Sequence, residues 1–257
     1  MTSLEVALDD VDFEVVGHVP GASNQTLLCR TPNGQELVYK PISGERPLWD
    51  FPRGCLAHRE YASWLISQAL GWDIVPATTL RMGPMGLGTL QVWVTTDQPQ
   101  NAVLLVDQGH LPEGYLEVFQ AQTPEGEIVS LVHADQPELF RIAIFDLLIN
   151  NADRKGSHIL MTRDGHSHGI DHGLSLHSQD KLRTVLWGWS GQRIPELNLA
   201  DIHSLRVSLE SDLEAKLRDF LDHGELEALR SRTSAILAHR RMPVWSGSWS
   251  QLPWPPL

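Results

Sequence analysis

Residues 150–160 read NNADRKGSHIL, and residues 169–173 read GIDHG. Asn150, Asn151 and Asp153 favour a turn after the apolar run before them, because their short side chains bond nearby backbone. Ile159 and Leu160 then read as a strand-like pair, Asp164-Gly165 as a hairpin turn, and Asp171 sits in a turn of the form Asp-x-Gly. Asp153 and His158 lie five residues apart on one short loop, so both can reach a common centre. Asp171, from the following hairpin, can close that centre from the other side. A carboxylate, a ligand and a second carboxylate suit phosphoryl transfer, which needs phosphates held, their charge neutralised by divalent metal and an acceptor hydroxyl aimed. In this reading Asp153 orients and deprotonates the acceptor, while His158 and Asp171 hold the metal.

A resemblance follows from those residues. Residues 145–160 (FDLLINNADRKGSHIL) resemble the catalytic loop of the phosphatidylinositol 3-/4-kinase-like superfamily, whose pattern runs roughly D-x-x-x-x-N-x-D-R-x-x-x-N. Asp146 matches the leading Asp, Asn151 the first Asn, Asp153 the catalytic Asp and Arg154 its neighbour. The second Asn of that pattern, a metal ligand, falls on His158. GIDHG is similar to the superfamily's I-D-x-G metal-binding turn, with Asp171 as ligand. The resemblance covers roughly residues 12–200 and suggests an actinobacterial-type branch. It implies an α+β, two-lobe protein-kinase-like fold, with an antiparallel-sheet small lobe and a mainly helical large lobe. It also implies ATP with Mg²⁺ or Mn²⁺ as cofactors.

The stretch upstream agrees. Residues 14–17, 25–30 and 36–41 read as three strands, from their alternation, their β-branched residues and the Asn33-Gly34 turn. Residues 59–66 read as a helix, with Glu60 positioned to pair with Lys40. The resemblance makes Lys40 the phosphate-contacting lysine, oriented by Glu60, and the loop from Gly17 to Gln25 the phosphate cover. In that loop Ser23 and backbone N–H groups can cradle phosphate. Residues 75–80 and 88–94 read as strands four and five. The Thr, Gln, Asp and Pro beyond Val94 read as a hinge, against which the resemblance would lay the adenine, at Gln91, Val92, Trp93 and Val94. The expected division is a small lobe over 1–95, a large lobe over 96–242 and a Trp/Pro-rich tail over 243–257.

His158 departs from the superfamily pattern. An imidazole nitrogen replaces an amide oxygen, and Mg²⁺ prefers oxygen whereas imidazole suits Mn²⁺ or Zn²⁺ better. Either metal preference has shifted or a metal is lost. The alternatives are therefore an impaired pseudokinase or nucleotide-binding scaffold, and a kinase-fold nucleotidyl transferase. The plain readings are also clear: a lone strand lysine is usually solvated, a Lys–Glu surface pair is worth about 0–1 kcal/mol, and Asn150 to Asp153 can simply cap a helix. The order of elements outweighs them. A rival constellation, His166, His168, Asp171 and His172, resembles the metal-binding run of metallo-β-lactamase-type hydrolases, but one inserted residue breaks its period.

Further along, residues 136–150 (QPELFRIAIFDLLIN) read as a strong helix, with Leu139, Ile142, Ala143, Asp146 and Leu147 on one face. Asp146 on that face either holds the catalytic loop by hydrogen bonds or is an ordinary buried polar residue with a partner. Residues 108–136 read as a hairpin around Pro124-Glu125-Gly126, either a solvent-facing insertion, which is favoured, or a substrate lid. Trp187 and Trp189 either stack on an acceptor or fill the core. Residues 201–240 read as two or three helices broken at Gly224. The tail PVWSGSWSQLPWPPL cannot form a regular helix and is either a surface strap or a docking segment.

Composition limits the partners. The chain has 257 residues, is 42% hydrophobic and 20% charged, and carries a net charge of −12. That charge repels nucleic acid and anionic lipid surfaces, so no nucleic-acid partner and no membrane-surface binding are expected. A soluble small-molecule polyol or a protein side chain is the favoured hydroxyl acceptor. No apolar run of about twenty residues is present, so no transmembrane segment is expected. The acidic N-terminus lacks a signal peptide's basic head, and Cys29 and Cys55 are expected to be reduced, which together point to the cytoplasm.

Overall fold

Alternation along β3 (Glu36–Pro41) turns Leu37 and Tyr39 to one face of a sheet and Lys40 to the other, as a period of two requires. With β1 (Glu14–His18), β2 (Leu27–Arg30), β4 (Thr78–Gly83) and β5 (Gly86–Val92) it forms an antiparallel five-stranded sheet of order β1-β2-β3-β5-β4. The Asn33-Gly34 turn joins β2 to β3, with Gly34 at positive φ. Leu8, Leu27, Cys29, Leu37, Tyr39 and Leu90 make a small core on one face of the sheet. This computed structural model describes residues 8–22, 24–46, 48–51, 56–96 and 102–257. The expected phosphate ligand Ser23, Cys55, the first seven residues and residues 97–101 of the expected hinge lie outside the described residues.

Helix α1 (Leu56–Leu70) covers the Lys40 face and stops at Gly71, whose φ of 66° is the left-handed conformation a helix end favours. Although α1 follows the small-lobe strands in sequence, its Ala62, Ile66 and Leu70 belong to the larger core with α2 (Pro137–Ile149) and α3 (Glu196–Ser208). Four polar ties fix it there. Arg59 donates to the Ser175 carbonyl at 2.6 Å and pairs with Glu225, Ser63 bonds Ser175 at 3.0 Å, and the Trp72 indole beyond its end donates to Asp201 at 2.8 Å.

The favoured reading of residues 108–136 as a solvent-facing insertion is corrected by the structure. Strands β6 (Val103–Asp107), β7 (Tyr115–Gln122) and β8 (Ile128–Ala134) form a separate antiparallel sheet of order β6-β8-β7. Its Val103, Val118, Leu131 and Ala134 are buried in the main core. The expected hairpin is β7–β8. It is a wall of the large lobe because its apolar residues need a partner face, which α2 and the 187–189 turn supply.

Helix α2 is buried almost all round, and Asn150 ends it at φ 54°. A short hairpin, β9 (Ile159–Met161) with β10 (Ser167–Gly169), follows. Helices α3, α4 (Asp212–Leu217) and α5 (His223–His239) complete the lobe. The expected break lies at Asp222, which caps α5 reciprocally with Glu225, rather than at Gly224 inside its first turn. The architecture is α+β, with an antiparallel-sheet N-terminal lobe and a mainly helical C-terminal lobe. Among the described residues no helix is long and apolar enough to cross a membrane.

Candidate active site

Asp146 on α2 is the foundation of the cleft. It is fully buried, and it accepts from Arg154 Nε at 3.0 Å and Nη2 at 2.9 Å, from Asn151 Nδ2 at 2.9 Å and from Thr184 Oγ1 at 3.3 Å. A carboxylate buried this deeply is tolerable only when its lone pairs are met. Arg154 in turn donates from Nη1 to the carbonyls of His158 and Ile170, both at 3.0 Å, and from Nη2 to His172 Nε2 at 2.7 Å. One guanidinium therefore fixes the loop carrying Asp153 and His158 relative to the turn carrying Asp171. Asn151 contributes again through its Oδ1, which accepts the Asp153 N–H at 3.0 Å.

On this base the expected residues converge. Lys40 Nζ donates to Glu60 Oε1 at 2.6 Å and to Asp171 Oδ1 at 2.9 Å. Asp171 occupies a left-handed backbone conformation, φ 63° and ψ 52°, an uncommon state for a non-glycine residue that turns its side chain into the cleft. Its Oδ2 lies 3.4 Å from His158 Nε2. His158 Nδ1 faces the Asp153 carbonyl oxygen at 2.9 Å, so Nδ1 carries the hydrogen. Burial pushes the His158 pKa down to about 4, so the ring is neutral and Nε2 presents a lone pair. Two acceptors thus face each other across a gap that a cation would bridge.

The charges are arranged to suit that purpose. Lys40 holds Asp171 well below the usual carboxylate range. Burial alone would lower Lys40, but Asp171 and Glu60 together raise it, so it stays charged. Asp153 behaves oppositely: desolvation raises its pKa, and Lys155, whose Nζ lies 3.2 Å from Asp153 Oδ2, partly opposes that rise. Lys155 was not singled out by the sequence reading, although its place two residues after Asp153 was visible.

Other expectations narrow. The Val92 and Trp93 N–H groups donate to the Ala77 and Glu36 carbonyls at 2.9 and 3.0 Å, and the buried Gln91 side chain donates to Thr78 at 2.8 Å. These donors are committed within the protein. Trp187 and Trp189 are buried rather than offered to an acceptor; their indoles donate to Gln251 O and Asp135 Oδ1. The hydrolase constellation does not assemble. His166 Nε2 meets the Asp73 carbonyl, His172 faces Arg154 and Asp171 faces Lys40. Among the described residues no three His, Cys, Asp or Glu side chains are grouped to hold a metal alone. A divalent ion here would need oxygens from a phosphate ligand, as is usual for Mg²⁺ sites.

No protein-family model matches the chain. Among the solved structures that share its fold are two of a Golgi casein kinase. A Golgi casein kinase aligns over 90% of this chain and 73% of its own, with a TM-score of 0.52 and 14% identity. A Golgi casein kinase with Mn/ADP bound aligns over 97% and 78%, with a TM-score of 0.55 and 14% identity. At that identity the likeness shows the fold, which is the two-lobe kinase-like one. A curated sequence, Protein Rv2133c of Mycobacterium tuberculosis (strain ATCC 25618 / H37Rv), is 46% identical over 262 residues, covering 96% of this chain and 93% of that protein. The chain therefore belongs to the family of Protein Rv2133c, and that family has a kinase-like fold.

Proposed function

We propose that this chain is an ATP- and divalent-metal-dependent phosphotransferase that moves the γ-phosphate to a hydroxyl, with a site of phosphatidylinositol 3-/4-kinase-like type. The observation that carries the reading is the meeting of Lys40 with Asp171, 131 residues later in the chain, at 2.9 Å beside His158. Lys40 contacts the phosphates and Glu60 holds it in place. Asp171 and His158 are the residues that would hold the metal, Mg²⁺ or Mn²⁺, which neutralises phosphate charge as it builds in the transition state. The neighbour with Mn/ADP bound supports the choice of nucleotide and metal.

The acceptor hydroxyl oxygen attacks the γ-phosphorus in line, the bond from that phosphorus to the bridging oxygen breaks, and ADP departs. The hydroxyl proton passes to Asp153, whose raised pKa suits a base. Lys155 beside it is placed to balance charge as the proton arrives. The small lobe, 1–95, and the large lobe, 96–242, close over the nucleotide, with Gln91, Val92, Trp93 and Val94 on the adenine side and the loop between β1 and β2 on the phosphate side. The net charge of −12 favours a soluble polyol or a protein side chain as acceptor, in the cytoplasm, over an anionic lipid surface.

Incubation with γ-labelled and α-labelled ATP, with Mg²⁺ or Mn²⁺, against polyols, inositol lipids and proteins tests the reading. Transfer of the γ label alone, lost in Asp153→Ala with ATP binding retained, supports it. Transfer of the α label makes the enzyme a nucleotidyl transferase; binding without transfer makes it a scaffold. Equal transfer by wild type and Asp153→Ala removes Asp153 as the base.

A further inference from the structure

The Trp/Pro segment reaches the catalytic loop itself. The Gly156 N–H donates to the Pro256 carbonyl at 2.8 Å. Gly156 lies between Asp153 and His158 and opens the single helical turn Gly156–His158 that presents the histidine. The first N–H of such a turn has no partner within it, and here the tail supplies one. The fit is close: a Cβ at position 156 would stand 2.8 Å from Leu257 Cδ2 and 3.0 Å from Val103 Cβ.

A second set of contacts holds the same loop from its other side. The Arg183 N–H donates to the Asn151 carbonyl at 2.9 Å, Arg154 N–H to the Arg183 carbonyl at 3.0 Å, and Val185 N–H to the Arg154 carbonyl at 3.2 Å. The tail backs this strand-like segment in turn. Gln251 O accepts from the Thr184 N–H at 3.1 Å and from the Trp187 indole at 3.0 Å, and Ser250 O accepts from Arg183 Nε at 3.2 Å. Leu252 is buried in the main core, and Trp249 sits edge-on to Phe119 of β7, with ring centroids 5.1 Å apart. The catalytic loop, the 183–185 segment and residues 250–252 are thus three layers of backbone, and residues 253–257 fold back to close on Gly156.

We infer that residues 253–257 are a positioning clamp for the catalytic loop: Pro256 and Leu257 hold the Gly156–His158 turn so that Asp153 and His158 keep their spacing. The inference rests on the phosphotransferase reading for its effect on turnover, but not for its effect on the loop. The Pro256 carbonyl touches no reacting atom, and its role runs through Gly156.

A chain ending at Leu252 keeps Trp249 and the buried Leu252 while losing both clamp contacts. In hydrogen exchange, amides of 153–158 should exchange about tenfold faster than in the full chain, with α5 and β8 unchanged. Turnover of ATP with Mn²⁺ should fall by about 10–100-fold through kcat, with KM for ATP little altered, because misplacement of a base costs rate more than binding. Leu257→Ala in the full chain, which removes the side chain packed against Gly156 and leaves the loop's own residues intact, should shift both readouts the same way by a smaller factor and decides the matter if the shortened chain fails to fold. Unchanged exchange at 153–158 in both variants overturns the clamp, as does faster exchange with full turnover. If the full chain neither binds nor turns over ATP, the phosphotransferase reading fails, and exchange alone judges the clamp.

Discussion

Two aspartates mark two kinds of region in this molecule. Asp146 is fully buried and accepts from four donors on three side chains. The Asp171 side chain is 53% exposed, on a left-handed backbone, with one oxygen toward Lys40 and the other toward an unprotonated nitrogen. Two histidines repeat the contrast. Burial pushes both His133 and His158 down to about 4. His133 uses both nitrogens, facing the Ala134 carbonyl at 3.0 Å and accepting the Gly188 N–H at 3.0 Å. His158 uses only Nδ1, and its Nε2 lone pair points at Asp171. In these two pairs the satisfied group holds the scaffold and the incompletely satisfied one faces the cleft. Polar groups near one another in a fold can therefore be sorted by whether their hydrogen-bonding capacity is already met.

The contrast breaks if the two aspartates respond alike. Asp171→Ala should abolish turnover, by roughly 10³-fold or more, while leaving the unfolding midpoint close to wild type. Asp146→Ala should do the reverse first. It leaves Arg154 buried without its partner and costs about 3–5 kcal/mol of stability, read by denaturant unfolding. Equal loss of stability in the two variants would erase the distinction.

The histidines sharpen it through pH. The unfolded His133 takes up a proton near pH 6.5, whereas the folded ring resists until about 4. The unfolded state therefore binds more protons between those values, so His133 makes stability fall as pH drops through that window, by about 3 kcal/mol, and contributes no slope above it. His133→Gln, which can still accept from Gly188, should make that limb shallower in a urea series between pH 7 and 4, the remainder coming from His158 and His172, which burial lowers as well. A slope unchanged in the variant would assign it elsewhere. The smallest effect concerns His158. His158→Asn restores an amide oxygen to the loop and should move the ratio of Mg²⁺- to Mn²⁺-supported turnover about tenfold toward Mg²⁺. An unmoved ratio removes His158 from the metal.

Much of this was readable from local pattern. The β2–β3 hairpin follows from alternation and Asn33-Gly34, and α2 from an apolar run opened by Pro137. The spacing of Asp146, Asn151, Asp153 and Arg154 is itself the wiring of the loop, since one helix end and one turn carry all four. The remainder depends on contacts distant in sequence. Nothing near Val118 or Leu131 says that their sheet packs into the main core rather than standing in solvent. Trp187 and Trp189 look the same on paper whether buried or stacked on a ligand. The landing of Pro256 on Gly156 joins residues 100 positions apart, and a tail of Trp and Pro carries no period to announce it. Nor does its place in sequence reveal that α1 shares the large-lobe core, because that depends on Arg59 meeting Glu225.

The central claim is that Lys40, Asp171 and His158 form one nucleotide–metal site. Calorimetric titration of ATP into the wild type and into Asp171→Asn, each with and without Mn²⁺, tests it most directly. Binding to the wild type should tighten at least about tenfold with Mn²⁺, and that gain should vanish in the variant. The same affinity in all four titrations would contradict the account.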